Sequence, residues 1–170
     1  MARISYPDIH QPALAPVVER IVAERGSVLK LYEMLLHSPR VAAGWLGFLT
    51  AIRQQCHLSG RIRELVIMRV AVINGAEYEF RAHTPFALKE GFSQAQIDAL
   101  REGTFDTFGA AERAALAYSE SMTRNVQVPG AIFEAVRRHF DERELVELTA
   151  TIGAYNLVSR FLEALQVDHD

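Results

Sequence analysis

The sequence predicts an all-α fold, a bundle of about eight helices joined by short connections. Three observations carry this. Apolar residues recur at three- and four-residue spacing through most of the 170 residues. Helix-start signals at Ser59, Ser93-Gln94-Ala95-Gln96 and Asp141-Glu142-Arg143-Glu144 each stand before such a stretch. Alternating β-branched runs bounded by turn residues do not occur.

Taken in order, Pro7, Pro12 and Pro16 mark residues 1–16 as an extended arm, expected to lie over a neighbour. Val17, Val18, Ile21 and Val22 then set out a helix over about 15–25, broken at Gly26-Ser27. Ser27 is read as the cap of a short helix reaching Leu36. Ser38-Pro39 has the form of a cap followed by proline at the first helical position, opening a helix over about 39–55 that carries Trp45, Leu46, Phe48, Leu49 and Ile52. Ser59 caps the next, over 60–74. Ile62, Leu65, Val66, Met68, Val70, Val72 and Ile73 make it apolar on more than one face, as expected of a central helix. The dipeptide Asn74-Gly75 turns the chain into a helix over 77–90, where Pro85 should kink the axis or remove one hydrogen bond, and Gly91 ends it. A short helix follows to Arg101, and residues 102–108 read as a loop. Helices over 110–124, 128–140 and 141–166 complete the chain, which is read as a single domain. Arg63-Glu64-Leu65-Val66 recurs as Arg143-Glu144-Leu145-Val146, each copy opening a long helix, which suggests an internal pseudo-repeat.

Composition narrows the function classes. A net charge of −3 and a pI near 6.1 give no electrostatic reason to expect nucleic acid. No apolar run reaches bilayer length, and residues 1–16 lack the apolar segment of a signal peptide. Cys56 stands alone, so no disulfide or dithiol pair forms within the chain, and a cytoplasmic location is expected.

The stretch 61–91 is the one constellation with the look of chemistry. Glu79 and His83 are four residues apart and share a helix face. Glu64 precedes Gly75 by eleven residues and His83 follows it by eight, so a fold-back at the corner leaves their heights about 5 Å apart. Two acids and an imidazole can then meet between two packed helices.

The spacing of Glu64, eleven residues, then Ala76-Glu77-Tyr78-Glu79-Phe80-Arg81-Ala82-His83 resembles the core of the carboxymuconolactone decarboxylase family, which includes the alkylhydroperoxidase D-like proteins. The likeness continues through residues 87–94 and spans about 45–165. In the redox-active branch the motif is Glu, eleven residues, then Cys-x-x-Cys-x-x-x-His. Here Ala76 and Glu79 stand at the two cysteine positions. A dithiol peroxidase needs one thiolate to attack and a second to resolve, so that activity is not expected.

The decarboxylase branch implies a different chemistry: a lyase or isomerase acting on a small organic acid or lactone without metal or organic cofactor. His83 would deliver a proton, Glu64 would orient or charge-pair the imidazole, and Glu79 would shuttle a proton or orient a hydroxyl. Arg69, Arg81 and Arg160 are candidates to hold a substrate carboxylate, and Tyr78 to line its pocket. Trp45, Phe80 and Tyr155 are read as core or pocket wall. The resemblance also implies a homo-trimer or hexamer.

Simpler readings stand beside these. Glu79 and His83 would make a solvated i,i+4 pair; Glu64 and Glu144 would be first-turn acids favoured by the helix dipole, the preferred reading for Glu144. Glu64, Glu79 and His83 could together ligate a divalent ion. A non-catalytic binding or assembly protein on the same scaffold is the main rival function.

Overall fold

The computed structural model describes residues 1–170 and contains nine α-helices and no strand. Each of the helical segments read from the sequence is present. No helix is long and apolar enough to cross a membrane.

The chain forms two compact units. The first comprises Met1–Gln55 and Phe161–Asp170. It holds α1 (Ala15–Arg25), α2 (Lys30–Leu35) and α3 (Pro39–Thr50), and α3 runs on into a π-helical turn over Ala51–Gln55. The N-terminal arm does not need a neighbour: the Arg3 amide donates to the Leu165 carbonyl at 2.9 Å, and the Tyr6 hydroxyl donates to Asp168 at 3.1 Å. Ser27 is not a cap. The second helix starts at Lys30, with Leu29 at its N-cap and no side-chain bond there. Ser38 occupies the N-cap of α3 without a capping bond, and Pro39 opens that helix with the φ it needs.

The second unit, Cys56–Arg160, contains α4 (Gly60–Asn74), α5 (Glu77–Lys89), α6 (Gln94–Glu102), α7 (Ala110–Asn125) and α8 (Gly130–Arg137). It also holds most of α9 (Glu142–Leu165). The Ser59 hydroxyl accepts from the Ile62 amide and starts α4. Leu65, Val66, Ile67, Met68 and Val70 are fully buried, so α4 is covered all round, packing against α5, α6 and α7. Gly60 belongs to this packing. A Cβ there would collide with the Glu90 carboxyl group, which sits over the positive end of α4.

At the end of α4, Gly75 takes φ +66°, and the Ala76 amide reaches back to the Ala71 carbonyl at 2.9 Å. This is a glycine stop with its six-to-one bond, and it reverses the chain into α5 within two residues. Pro85 lies inside α5 and has no amide to offer the carbonyl one turn back, while the Thr84 hydroxyl donates to the Phe80 carbonyl at 2.8 Å. The Ser93–Gln96 capping box opens α6. Asp141 and Glu144 exchange backbone-to-carboxylate bonds at 3.0 and 2.8 Å at the start of α9.

The two Arg-Glu-Leu-Val copies therefore serve different ends. Glu144 caps its helix at the surface, and Val146 is 69% exposed. Glu64 and Val66 are buried.

Candidate acid-base site

The corner at Gly75 lays α5 against α4, and a buried imidazole comes to rest between two carboxylates. Nδ1 of His83 is 2.6 Å from Oε2 of Glu64, and Nε2 is 3.5 Å from Oε2 of Glu79. Glu64, Glu79 and His83 are 2, 4 and 3% exposed. Glu79 and His83 are thus not a solvated surface pair, and Glu64 is not simply a first-turn acid facing water.

The other oxygen of Glu64 is held from outside. Nε of Arg63 lies 3.3 Å from Oε1 of Glu64, and the same guanidinium approaches Glu90 at 4.0 Å. Arg63 gives that oxygen a charge-assisted hydrogen bond. An ionised Glu64 accepts only, so the short bond requires Nδ1 of His83 to carry its proton. In the neutral ring, Nε2 is then the nitrogen that takes a proton, and it faces Glu79.

Two rings pack on the imidazole. Tyr155 of α9 meets it edge-on with centroids 5.0 Å apart, and Phe86, one turn further along α5, lies tilted at 5.7 Å. Tyr155 is buried and Phe86 is 45% exposed.

The remaining sequence candidates have partners of their own. Arg69 is buried, donates to Glu120 through Nε at 2.7 Å and also through Nη2, and gives Nη1 to the Leu100 carbonyl at 2.8 Å. Its guanidinium also lies over Phe105. Its partners belong to α6, α7 and the loop between them, so it serves as a packing cation and not as a carboxylate anchor beside His83. Arg81 is exposed and paired with Glu77 at 2.9 Å. Arg160 is exposed and binds the Asn156 carbonyl at 3.1 Å as well as its side chain. Tyr78 is buried in the first turn of α5, next to Glu79.

Metal ligation by the three central residues fails on geometry. The two carboxylates approach opposite nitrogens of one ring, so no single point is within reach of all three, and no other group of three His, Cys, Asp or Glu side chains is suited to an ion.

Cys56 is half-buried beyond the π-helical turn. Burial first, and then the nearby Glu147 carboxylate, push its thiol above the ordinary value. A reactive thiolate requires the reverse.

Two residues with a role at the site went unremarked in the sequence reading. Arg63 is the immediate neighbour of Glu64, and nothing in helical periodicity flags a one-residue step. Phe86 stands three residues after His83, a spacing that marks it as a same-face neighbour.

The family model for carboxymuconolactone decarboxylases matches residues 39–121, a span that contains Glu64, Glu79 and His83. A relative in Bacillus subtilis (strain 168), the uncharacterized protein YdfG, is 31% identical over 115 residues, covering 66% of this chain and 78% of that protein. The chain belongs to the carboxymuconolactone decarboxylase family.

Solved structures agree on the family's helical fold. The alkylhydroperoxidase AhpD core protein of Ralstonia eutropha JMP134 superposes with a TM-score of 0.83 at 18% identity, over 99% of this chain and 92% of that one. The debrominase Bmp8, as a variant in complex with 2,3,4-tribromopyrrole, superposes at 0.82 with 20% identity, over 100% and 94%. An Agrobacterium tumefaciens protein of unknown function, linked by name to antioxidant defence and AhpD, gives 0.74 at 24% identity, over 79% and 94%. Among carboxymuconolactone decarboxylase family members, this chain is one without cysteine at positions 76 and 79.

Proposed function

We propose that this family member is a cofactor-independent acid/base enzyme of the lyase or isomerase type, acting on a small organic molecule. One observation carries the reading: each nitrogen of a buried imidazole faces a different buried carboxylate. Arg63 and Glu64 hold the ring and its Nδ1 proton, which leaves Nε2 to exchange a proton with Glu79 or with a bound substrate. Loss of carbon dioxide, or abstraction of a proton beside a carbonyl, produces an enolate that needs a proton delivered at a defined atom. His83 and Glu79 are the groups proposed to deliver it. Peroxide chemistry is disfavoured because Ala76 and Glu79 cannot form a disulfide and the Cys56 thiol is pushed away from thiolate.

The test is a panel of small lactones, enol acids and ketones assayed for turnover or for solvent-deuterium incorporation. His83→Ala is expected to abolish the activity found while leaving the helical circular-dichroism signal intact. Activity at the wild-type level in that variant ends the reading. A panel with no turnover and no thermal shift favours a non-catalytic binding or assembly protein.

Self-association is proposed with it, as a trimer or hexamer. Val146 and Leu157 are exposed on α9, and Phe133 of α8 lines the same surface cleft as Val146. A Val146→Glu variant should sediment as a smaller species than the wild type; identical sedimentation of the two removes this face from the assembly.

A further inference from the structure

Helices α8 and α9 leave a surface cleft of about 580 Å³, within the roughly 300–1,000 Å³ typical of recognition clefts. Its floor is apolar and offers no free hydrogen bond. Leu145 is buried there. The Thr149 hydroxyl donates to the Leu145 carbonyl at 2.6 Å, so the Tyr118 hydroxyl, 2.9 Å away, donates to it in turn. Phe133 lines the α8 side, 39% exposed, with the Tyr118 ring behind it at 6.4 Å. Val146 lines the α9 side and is 69% exposed. The polar handles are two charges, Arg137 in the last position of α8 and Glu142 in the first of α9. Arg137 is held only loosely, by Glu134 at 3.6 Å, with both side chains more than half exposed.

An occupant matched to this cleft is apolar over most of its surface and carries one charge of each sign. An anion suits Arg137 but meets Glu142, and a cation meets the reverse conflict. A second copy of this chain presents what is needed: an exposed aromatic ring, an exposed valine, one arginine and one glutamate. Under a two-fold axis, whatever one residue meets in the partner is met in return. An axis beside the α8–α9 connection sets Arg137 against Glu142 of the second copy, and Glu142 against Arg137 of the second copy. Phe133 and Val146 of each copy then cover the other's cleft, placing an aromatic and an aliphatic side chain at the dry centre and the charges at the rim. From this we infer that the α8–α9 cleft is a two-fold contact between copies of this chain, closed by reciprocal Arg137–Glu142 pairs. The inference rests on the self-association proposed above and narrows it: a hexamer of paired trimers contains such an axis, and a single trimer does not. The acid/base reading is independent of it.

Charge reversal tests the pairing. An exposed ion pair contributes little, but reversing one of its residues turns both symmetry-related attractions into repulsions. In analytical ultracentrifugation of the full chain, Arg137→Glu and Glu142→Arg are each expected to weaken the two-fold association about tenfold or more, seen as a shift toward half the wild-type mass. Mixing the two variants should restore the wild-type mass, because one presents two acids where the other presents two arginines. The double reversal R137E/E142R in one chain should restore it as well. Both side chains are exposed, and circular dichroism checks that the fold holds. If a reversal disrupts it, Arg137→Gln and Glu142→Gln take its place, with a smaller loss expected in the same direction. Wild-type association in every single variant, or a mixture that stays small, overturns the two-fold contact and leaves self-association through another face standing. A wild-type chain that sediments as a monomer overturns both, and anilinonaphthalene sulfonate fluorescence in that monomer, lost in Val146→Glu, would give the cleft to an apolar small molecule instead.

Discussion

Glu64 is the residue whose burial asks most of its neighbours. A carboxylate 2% exposed survives in a helical core because His83 and Arg63 take one oxygen each. Glu64→Gln keeps a similar shape and removes the charge that orients the ring. Turnover is expected to fall about 10- to 100-fold, the usual cost of losing an orienting partner, with the protein still folded. Kinetics beside a urea melt separates these effects. Arg69 gives the opposite pattern. Its guanidinium is satisfied by Glu120 and Leu100 away from His83, so Arg69→Met should cost about 2–3 kcal/mol in urea denaturation and leave site chemistry unchanged. Cys56→Ser should leave peroxide consumption at its basal level in a coupled assay, since the thiol is pushed up and has no partner thiol. At this scale the sequence was only half legible. Glu64, Glu79 and His83 could be named from spacing, because a tight corner and a fixed rise per residue leave little freedom. The roles of the arginines could not, because a long flexible side chain finds its acid only after the surrounding helices have packed.

At the scale of elements, the corner and one helix end make opposite predictions. Gly75 at φ +66° stops α4 and aims α5, and Gly75→Ala should destabilise by about 1 kcal/mol because a Cβ disfavours that backbone conformation. Nothing lies within 4 Å of a Cβ there, so the cost is conformational and not steric crowding. Val126 sits where glycine would be expected. It follows α7 at φ +64°, and the Gln127 amide closes a three-residue turn on the Asn125 carbonyl at 2.7 Å. A β-branched residue is strained in this turn, and its side chain is 82% exposed, so packing returns little. Val126→Gly should gain roughly 0.5–1 kcal/mol in thermal or urea unfolding, the relief of strain exceeding the added chain entropy. Caps explain why some helix ends were readable and others were not. Ser59, Ser93 and Asp141 make side-chain bonds to the first turn and mark true starts. Ser27 does not, because the helix begins only at Lys30 and Leu29 takes the N-cap position.

For the molecule as a whole, acid stability should be set partly at the start of α5. Arg101, and after it Arg81, hold the Glu77 carboxyl down to about 2. A carboxylate held below its ordinary value stabilises the fold fully at pH above that value, and the contribution drains away as pH falls toward 2. Melting temperatures recorded from pH 6 to pH 2 should therefore decline less steeply in Glu77→Gln than in wild type over the lower part of that range. Glu77 is part-exposed, so the difference should shrink in high salt. The sequence by itself determined an all-helical chain, the stops and caps that divide it, the central place of α4, and the family. These follow from period, turn chemistry and short-range spacing, which act within a few residues. Only the tertiary structure decided that Glu64 and Glu79 approach opposite nitrogens of one imidazole, that Arg69 and Arg81 pair with other acids while Arg160 binds Asn156, and that the arm lies on its own chain. Those outcomes depend on which helix faces meet, and a side chain's charge partner is chosen by that packing and not by its distance along the chain.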